Sequence, residues 1–161
     1  MNLQGQPESS APLLPVGFHQ TDLAGLERLC VEYFPGSLTR PGLMKTVSTI
    51  ITLANRTSIP ARMWIAGDFL TEEPDPDGLC IAMVLVESIF EALSDDQRDF
   101  FDWFRGESLF ARYRCDNYGL VIDADRYDYD TVLRYWMRQF GTGRGPKRGV
   151  AEILVPTLER S

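Results

Sequence analysis

Two apolar runs, "ARMWIA" (61–66) and "IAMVLV" (81–86), stand on either side of "GDFLTEEPDPDGLC" (67–80). Short, continuously apolar segments bounded by turn residues predict strands buried on both faces. Pro60 precedes the first, and the second is expected to begin near Leu79 and to end at about Val86. Both runs are therefore expected to be strands joined by one connection. The connection between them crowds Asp68, Glu72, Glu73, Asp75 and Asp77 into one loop. Such a loop is either a site that gathers a metal ion or a solvated acidic turn.

The remaining segments predict a mixed set of elements. "LLPVGFH" reads as an extended arm. Thr21 is placed to cap a helix whose apolar stripe is Leu23, Leu26, Leu29, Cys30 and Phe34, stopped by Pro35 and Gly36. Pro41 suits a first helical turn, and Leu43, Met44, Val47, Ile50, Ile51 and Ala54 recur at helical spacing. Ser94 and Gln97 have the spacing of a capping box ahead of "DDQRDFFDWF". "NYGLVIDA" and "GVAEILV" predict two further strands. Asp128 or Asp130 is placed to open a helix that carries Trp136 and ends at Gly141. Strands and helices do not alternate strictly, so the expected class is α+β, with a mixed sheet of about four strands packed by helices. Residues 1–10 are expected to form a flexible N-terminus, and residues 11–161 a single domain.

Charge and composition narrow the function. The 161 residues carry a formal charge of −7, which argues against a surface for double-stranded nucleic acid. The three cysteines are scattered and the single histidine, His19, excludes a multi-histidine metal centre. This pattern predicts reduced thiols and a cytoplasmic location. No stretch approaches the apolar length of a membrane span, so no membrane association is expected. Trp64 and Trp136 read as core residues, Trp103 as partly exposed, and Cys80 and Cys115 as packing residues rather than nucleophiles.

Three segments in order resemble one known family. "LLPVGFHQTDLAGLERLC", "WIAGDFLTEEPDPDGLCIAMVL" and "YWMRQFGTGRGPKRGVAEI" are together similar to the nucleotidyltransferase-like proteins of the DNA polymerase β superfamily, in particular to a bacterial branch of uncharacterised domains. That branch typically reads "WIDGSFVTDKPxPNDVDVVVVL" at the second segment. The resemblance implies a Gly-Ser turn at the nucleotide triphosphate, and two aspartates at i and i+2 whose side chains share one strand face and hold Mg²⁺. A third carboxylate on a neighbouring strand completes such a centre.

Position by position, the resemblance implies a degenerate centre. Gly67 keeps the glycine, Asp68 replaces the serine, and Thr71 keeps the connection. The two metal-binding positions fall on Gly78, which has no ligand, and on Cys80, whose soft thiol suits Mg²⁺ poorly. Gly119 lies close to where the third aspartate is expected. Arg144 and Lys147 are retained. Gly67, Asp68, Thr71, Arg144 and Lys147 are therefore the candidate nucleotide-binding residues. The resulting expectation is a domain that has lost catalysis, needs no cofactor, and binds a protein partner or a nucleotide, in a setting such as bacterial defence or toxin control. The alternative is an active, Mg²⁺-dependent nucleotidyltransferase with a displaced centre built from Asp75, Asp77 and one of Asp116, Asp123 or Asp125.

Overall fold

A computed structural model describes residues 11–123 and 149–157. In chain order these form β1 (Phe18–Gln20), α1 (Leu23–Glu27), α2 (Arg40–Thr57), β2 (Ala61–Ala66), β3 (Leu79–Val86), α3 (Glu87–Glu91), α4 (Asp95–Gly106), α5 (Phe110–Tyr113), β4 (Cys115–Ile122) and β5 (Val150–Val155). The class is α+β, with one mixed sheet of five strands in the order β1-β5-β2-β3-β4. β2 lies between β3 and β5 and is antiparallel to both, while β1 runs parallel to β5 and β4 parallel to β3.

The two apolar runs form the centre of the sheet, with Ile65 opposite Ile81 and Met63 opposite Met83. Strand side chains alternate between faces, which divides the buried residues into two sets. Met63, Ile65, Ile81, Met83, Ala151 and Ile153 face the helices. They join Val47, Ile50 and Ile51 of α2 and Phe101 and Phe104 of α4 in one core. Trp64, Ala66, Ala82, Val84, Ile122 and Val150 form a second cluster on the opposite face. There the Phe18 ring packs on Trp64 with centroids 4.6 Å apart. The single charged residue inside β5, Glu152, is buried beside them and accepts hydrogen bonds from Gln20 (3.1 Å), Arg62 (2.9 Å) and Trp64 Nε1 (2.9 Å). This carboxylate ties three strands together through side chains as well as through the ladder.

Helix ends follow local chemistry. Asp22, not Thr21, caps α1, its carboxylate accepting from Gly25 N at 2.7 Å. The chain then continues in wider π-type turns over Arg28–Glu32. Pro41 sits in the first turn of α2, and the β-branched residues of that helix do not interrupt it across 18 residues. Ser94 and Gln97 form the reciprocal capping box of α4. The Gln97 amide also donates to Thr57 O (3.0 Å), joining the start of α4 to the end of α2.

Two expectations change in detail. The arm contributes a strand of its own, β1, so the sheet has five strands rather than four. The third strand starts at Cys115 and ends before Asp123, because α5 turns the chain directly into the ladder beside Leu79. The helix expected from Asp128 or Asp130, with Trp136, lies outside the described residues, as do residues 1–10. Among the described residues no helix is long and apolar enough to cross a membrane.

α4 crosses β4 so closely that a Cβ added at Gly119 would lie 2.5 Å from Arg105 Cβ and 3.1 Å from Phe101 Cζ. Neither neighbour is a free side-chain end, so Gly119→Ala is expected to cost about 1–3 kcal/mol through overpacking. Urea denaturation would show it as a lower midpoint with an unchanged slope.

Candidate functional site

The acidic connection starts from a backbone constraint. Gly67 has φ 93°, a conformation that side chains disfavour, and its Cα faces the start of β3, with Cys80 N only 3.4 Å from where a Cβ would stand. One 3₁₀ turn follows over Asp68–Leu70, closed by Leu70 N donating to Gly67 O (3.0 Å) and Thr71 N to Asp68 O (3.1 Å). Phe69 and Leu70 bury inward while Asp68 is exposed. Thr71 is fully buried, and its hydroxyl donates to Asp68 O (2.7 Å) and accepts from Glu73 N (3.2 Å). Its side chain braces the turn from within.

The rest of the connection is arranged around Arg40, whose side chain has no exposed surface. Its guanidinium makes five hydrogen bonds, all to backbone carbonyls. Nε donates to Glu73 O (3.1 Å), Nη1 to Cys30 O (2.9 Å) and Phe69 O (2.8 Å), and Nη2 to Thr71 O (2.5 Å) and Glu73 O (2.6 Å). The Phe34 ring lies 3.8 Å from the guanidinium carbon. A planar fork with several fixed donors suits this task, because a loop buried against the protein must otherwise leave carbonyls unpaired. Burial lowers the affinity of Arg40 for its proton, and nearby Glu73 and Asp75 oppose that shift.

The acids of the connection do not converge. Asp75 accepts from Ser37 Oγ (3.1 Å) and Leu38 N (2.7 Å), while Ser37 Oγ in turn accepts from Arg40 N (3.1 Å), so this carboxylate organises the start of α2. Glu72 and Asp77 are exposed. Among the described residues no three His, Cys, Asp or Glu side chains are placed to hold a metal ion. Asp123 lies just beyond the end of β4. Asp125, Arg144 and Lys147 lie outside the described residues.

The two positions where the family resemblance expects aspartates are now visible. A Cβ at Gly78 would stand 2.6 Å from the Arg114 carbonyl oxygen, so the backbone of the neighbouring chain occupies the space a ligand would need. Cys80 lies on the Trp64 face, opposite Ala66 and level with Asp116 of β4. Burial, and then the Asp116 carboxylate, push its thiol up to about 12. Cys30 and Cys115 are likewise pushed up to about 12, chiefly by burial. Gly119 points to the helix side of the sheet, against Phe101 and Arg105, and cannot share a site with Cys80. The residue of β4 beside Cys80 is Asp116, and Tyr118 lies two residues further along the same face. A hard, six-oxygen shell for Mg²⁺ does not fit a glycine without room and a protonated thiol.

Sequence reasoning missed two organising residues. Arg40 stands next to Pro41 and carried no pattern that distinguishes it from a solvated helix start. Glu152 did carry a signal, as a lone charge within the apolar run "VAEILV". Trp64 is core, Trp103 is half-buried and Cys115 is fully buried, as their patterns predict.

A family of unknown function, DUF6932, matches residues 7–154. No curated protein and no solved structure matches the chain.

Replacing Arg40 by Met keeps bulk but strips donors from four backbone carbonyls on two segments of chain. A loss of about 3 kcal/mol or more is expected in urea denaturation, with Arg40→Lys recovering only part of it because an ammonium cannot reach all of the carbonyls. The thiols give a pH prediction. Their folded pKa values stand above the unfolded value of 9.0, so the contribution is complete below pH 9 and is lost as pH rises toward about 12. Unfolding midpoints measured between about pH 8 and about pH 10 are expected to fall, and Cys80→Ala to make that fall shallower.

Proposed function

Because the chain belongs to the DUF6932 family, whose function is unknown, we propose its role from its own geometry: a nucleotidyltransferase-like scaffold that works by binding a protein partner or a nucleotide, not by catalysis. The reading is supported by the order of elements, a buried strand, a glycine turn and a second strand whose alternate residues face one side. One observation carries it. The position of the first metal-binding aspartate is Gly78, packed against Arg114 O, and the second is Cys80, whose thiol stays protonated.

Asp68 supports the same conclusion. It is exposed at the turn where, in the resembling family, a triphosphate approaches, and a carboxylate there repels phosphate. The displaced centre is the competing reading. It requires Asp75 to leave Ser37 and Leu38, which would unfasten the start of α2.

Thermal unfolding with each nucleoside triphosphate, alone and with Mg²⁺ or Mn²⁺, separates the readings. A ligand at 100 times its Kd stabilises by roughly 2.7 kcal/mol, enough to move the midpoint by several degrees. The expected outcome is no metal-dependent shift, and any nucleotide shift should be the same with and without metal. A metal-dependent shift that is abolished in Asp77→Ala would overturn the proposal in favour of the displaced centre.

A further inference from the structure

The loop that Arg40 and Asp75 hold rigid carries two large apolar side chains into solvent. Leu38 is 88% exposed and Tyr33 is 76% exposed. They flank one tight turn, closed by Ser37 N donating to Phe34 O at 2.9 Å, which brings the two ends of segment 34–37 together. Between them Phe34 turns inward onto the Arg40 guanidinium, and the Leu38 amide is pinned by Asp75. Tyr33 and Leu38 therefore stand exposed at the two ends of one fastened turn rather than on a loose loop.

From this we infer that the turn at residues 33–38 is a docking surface for a basic protein segment, one that offers an apolar side chain flanked by Lys or Arg. Apolar side chains on a rigid support lose little freedom on binding, which favours them as anchors. The charge around them chooses the partner. Glu32 is exposed next to Tyr33, and Asp75 and Asp77 are exposed on the connection fastened to Leu38. Of the cations described on these segments, Arg40 is fully buried and spent on carbonyls, and Arg28 is exposed at the start of the turn that ends at Glu32, so three exposed carboxylates stand against one exposed cation. A cationic segment meets complementary potential here and an acidic one is repelled. This inference rests on the binding role proposed above and names the surface that performs it.

The test is selection of a library of short random peptides on the full chain, without nucleotide or metal, followed by affinity measurements at physiological salt. Enriched peptides should combine an apolar residue with Lys or Arg. They should bind Tyr33→Ser/Leu38→Ser about tenfold or more weakly, although that variant keeps the charge. Glu32→Gln/Asp77→Asn should weaken them several-fold, while Asp95→Asn/Asp96→Asn, an equal change of charge on α4, should not. All these positions are exposed, so the variants should stay folded at the assay temperature, with Asp95→Asn/Asp96→Asn losing a little stability because both acids lie in the first turn of α4. The inference is overturned if no peptide is enriched, if enriched peptides lack basic residues, if they bind Tyr33→Ser/Leu38→Ser as tightly as the parent, or if the α4 variant weakens them equally. The nucleotide experiment reads a different part of the molecule, so either conclusion can fail alone.

Discussion

Arg40 joins chain segments that no ladder or helix connects. Its guanidinium reaches the carbonyls of Cys30 after α1, and of Phe69, Thr71 and Glu73 in the loop between β2 and β3. A buried cation is costly to desolvate, and here neutral carbonyl dipoles rather than a carboxylate compensate it. The acids around it have a consistent arrangement as a result. The Glu73 backbone serves the arginine, Asp68, Glu72 and Asp77 are exposed, and Asp75 turns back to organise the start of α2. An acidic loop that looks like an ion-binding site is thus arranged around a positive charge inside the protein.

The sheet separates the molecule's two kinds of chemistry. One face is apolar and covered by α2 and α4, with Gly119 marking how closely the helix and β4 approach. The other carries Trp64, Glu152, Cys80 and Asp116. Both faces of the sheet are thus buried at its centre, the first under helices and the second beneath Phe18. At the Cys80 end the approach of Arg114 O to Gly78 leaves no space for a side chain there, and Asp116 is the carboxylate level with the thiol.

Much of the fold was legible in the sequence because it follows from local rules. The paired apolar runs, the Ser94–Gln97 box and the period of Leu43, Val47, Ile50 and Ile51 each specify an element without reference to the rest of the chain. β1 was not legible, since "FHQ" is too short to announce a strand and pairs only because β5 offers it an edge. Thr21 and Asp22 are both good caps, and only the geometry of the turn selects Asp22. Of the site, the glycine at 67 and the substitutions at 78 and 80 were visible as residue types. The role of Arg40 was not, because hydrogen bonds to carbonyls 10 to 33 residues away leave no mark in side-chain periodicity. The face of Gly119 depended on the register of β4, and a shift of one residue reverses it.

The strand order also constrains how the chain can assemble. β5, last of the described strands, lies between β1 and β2, so the first and last strands pair directly. The hairpin of β2 and β3 can close early, since its strands are near in sequence. β1 has no ladder to join until residues 150–155 have been made and threaded into place. Such long-range pairing slows folding and leaves strand edges open in the interval. During synthesis the growing chain would therefore carry a sheet in which one edge of the apolar β2 stays open until β5 is made, and β5 is the strand that joins β1 to the rest of it.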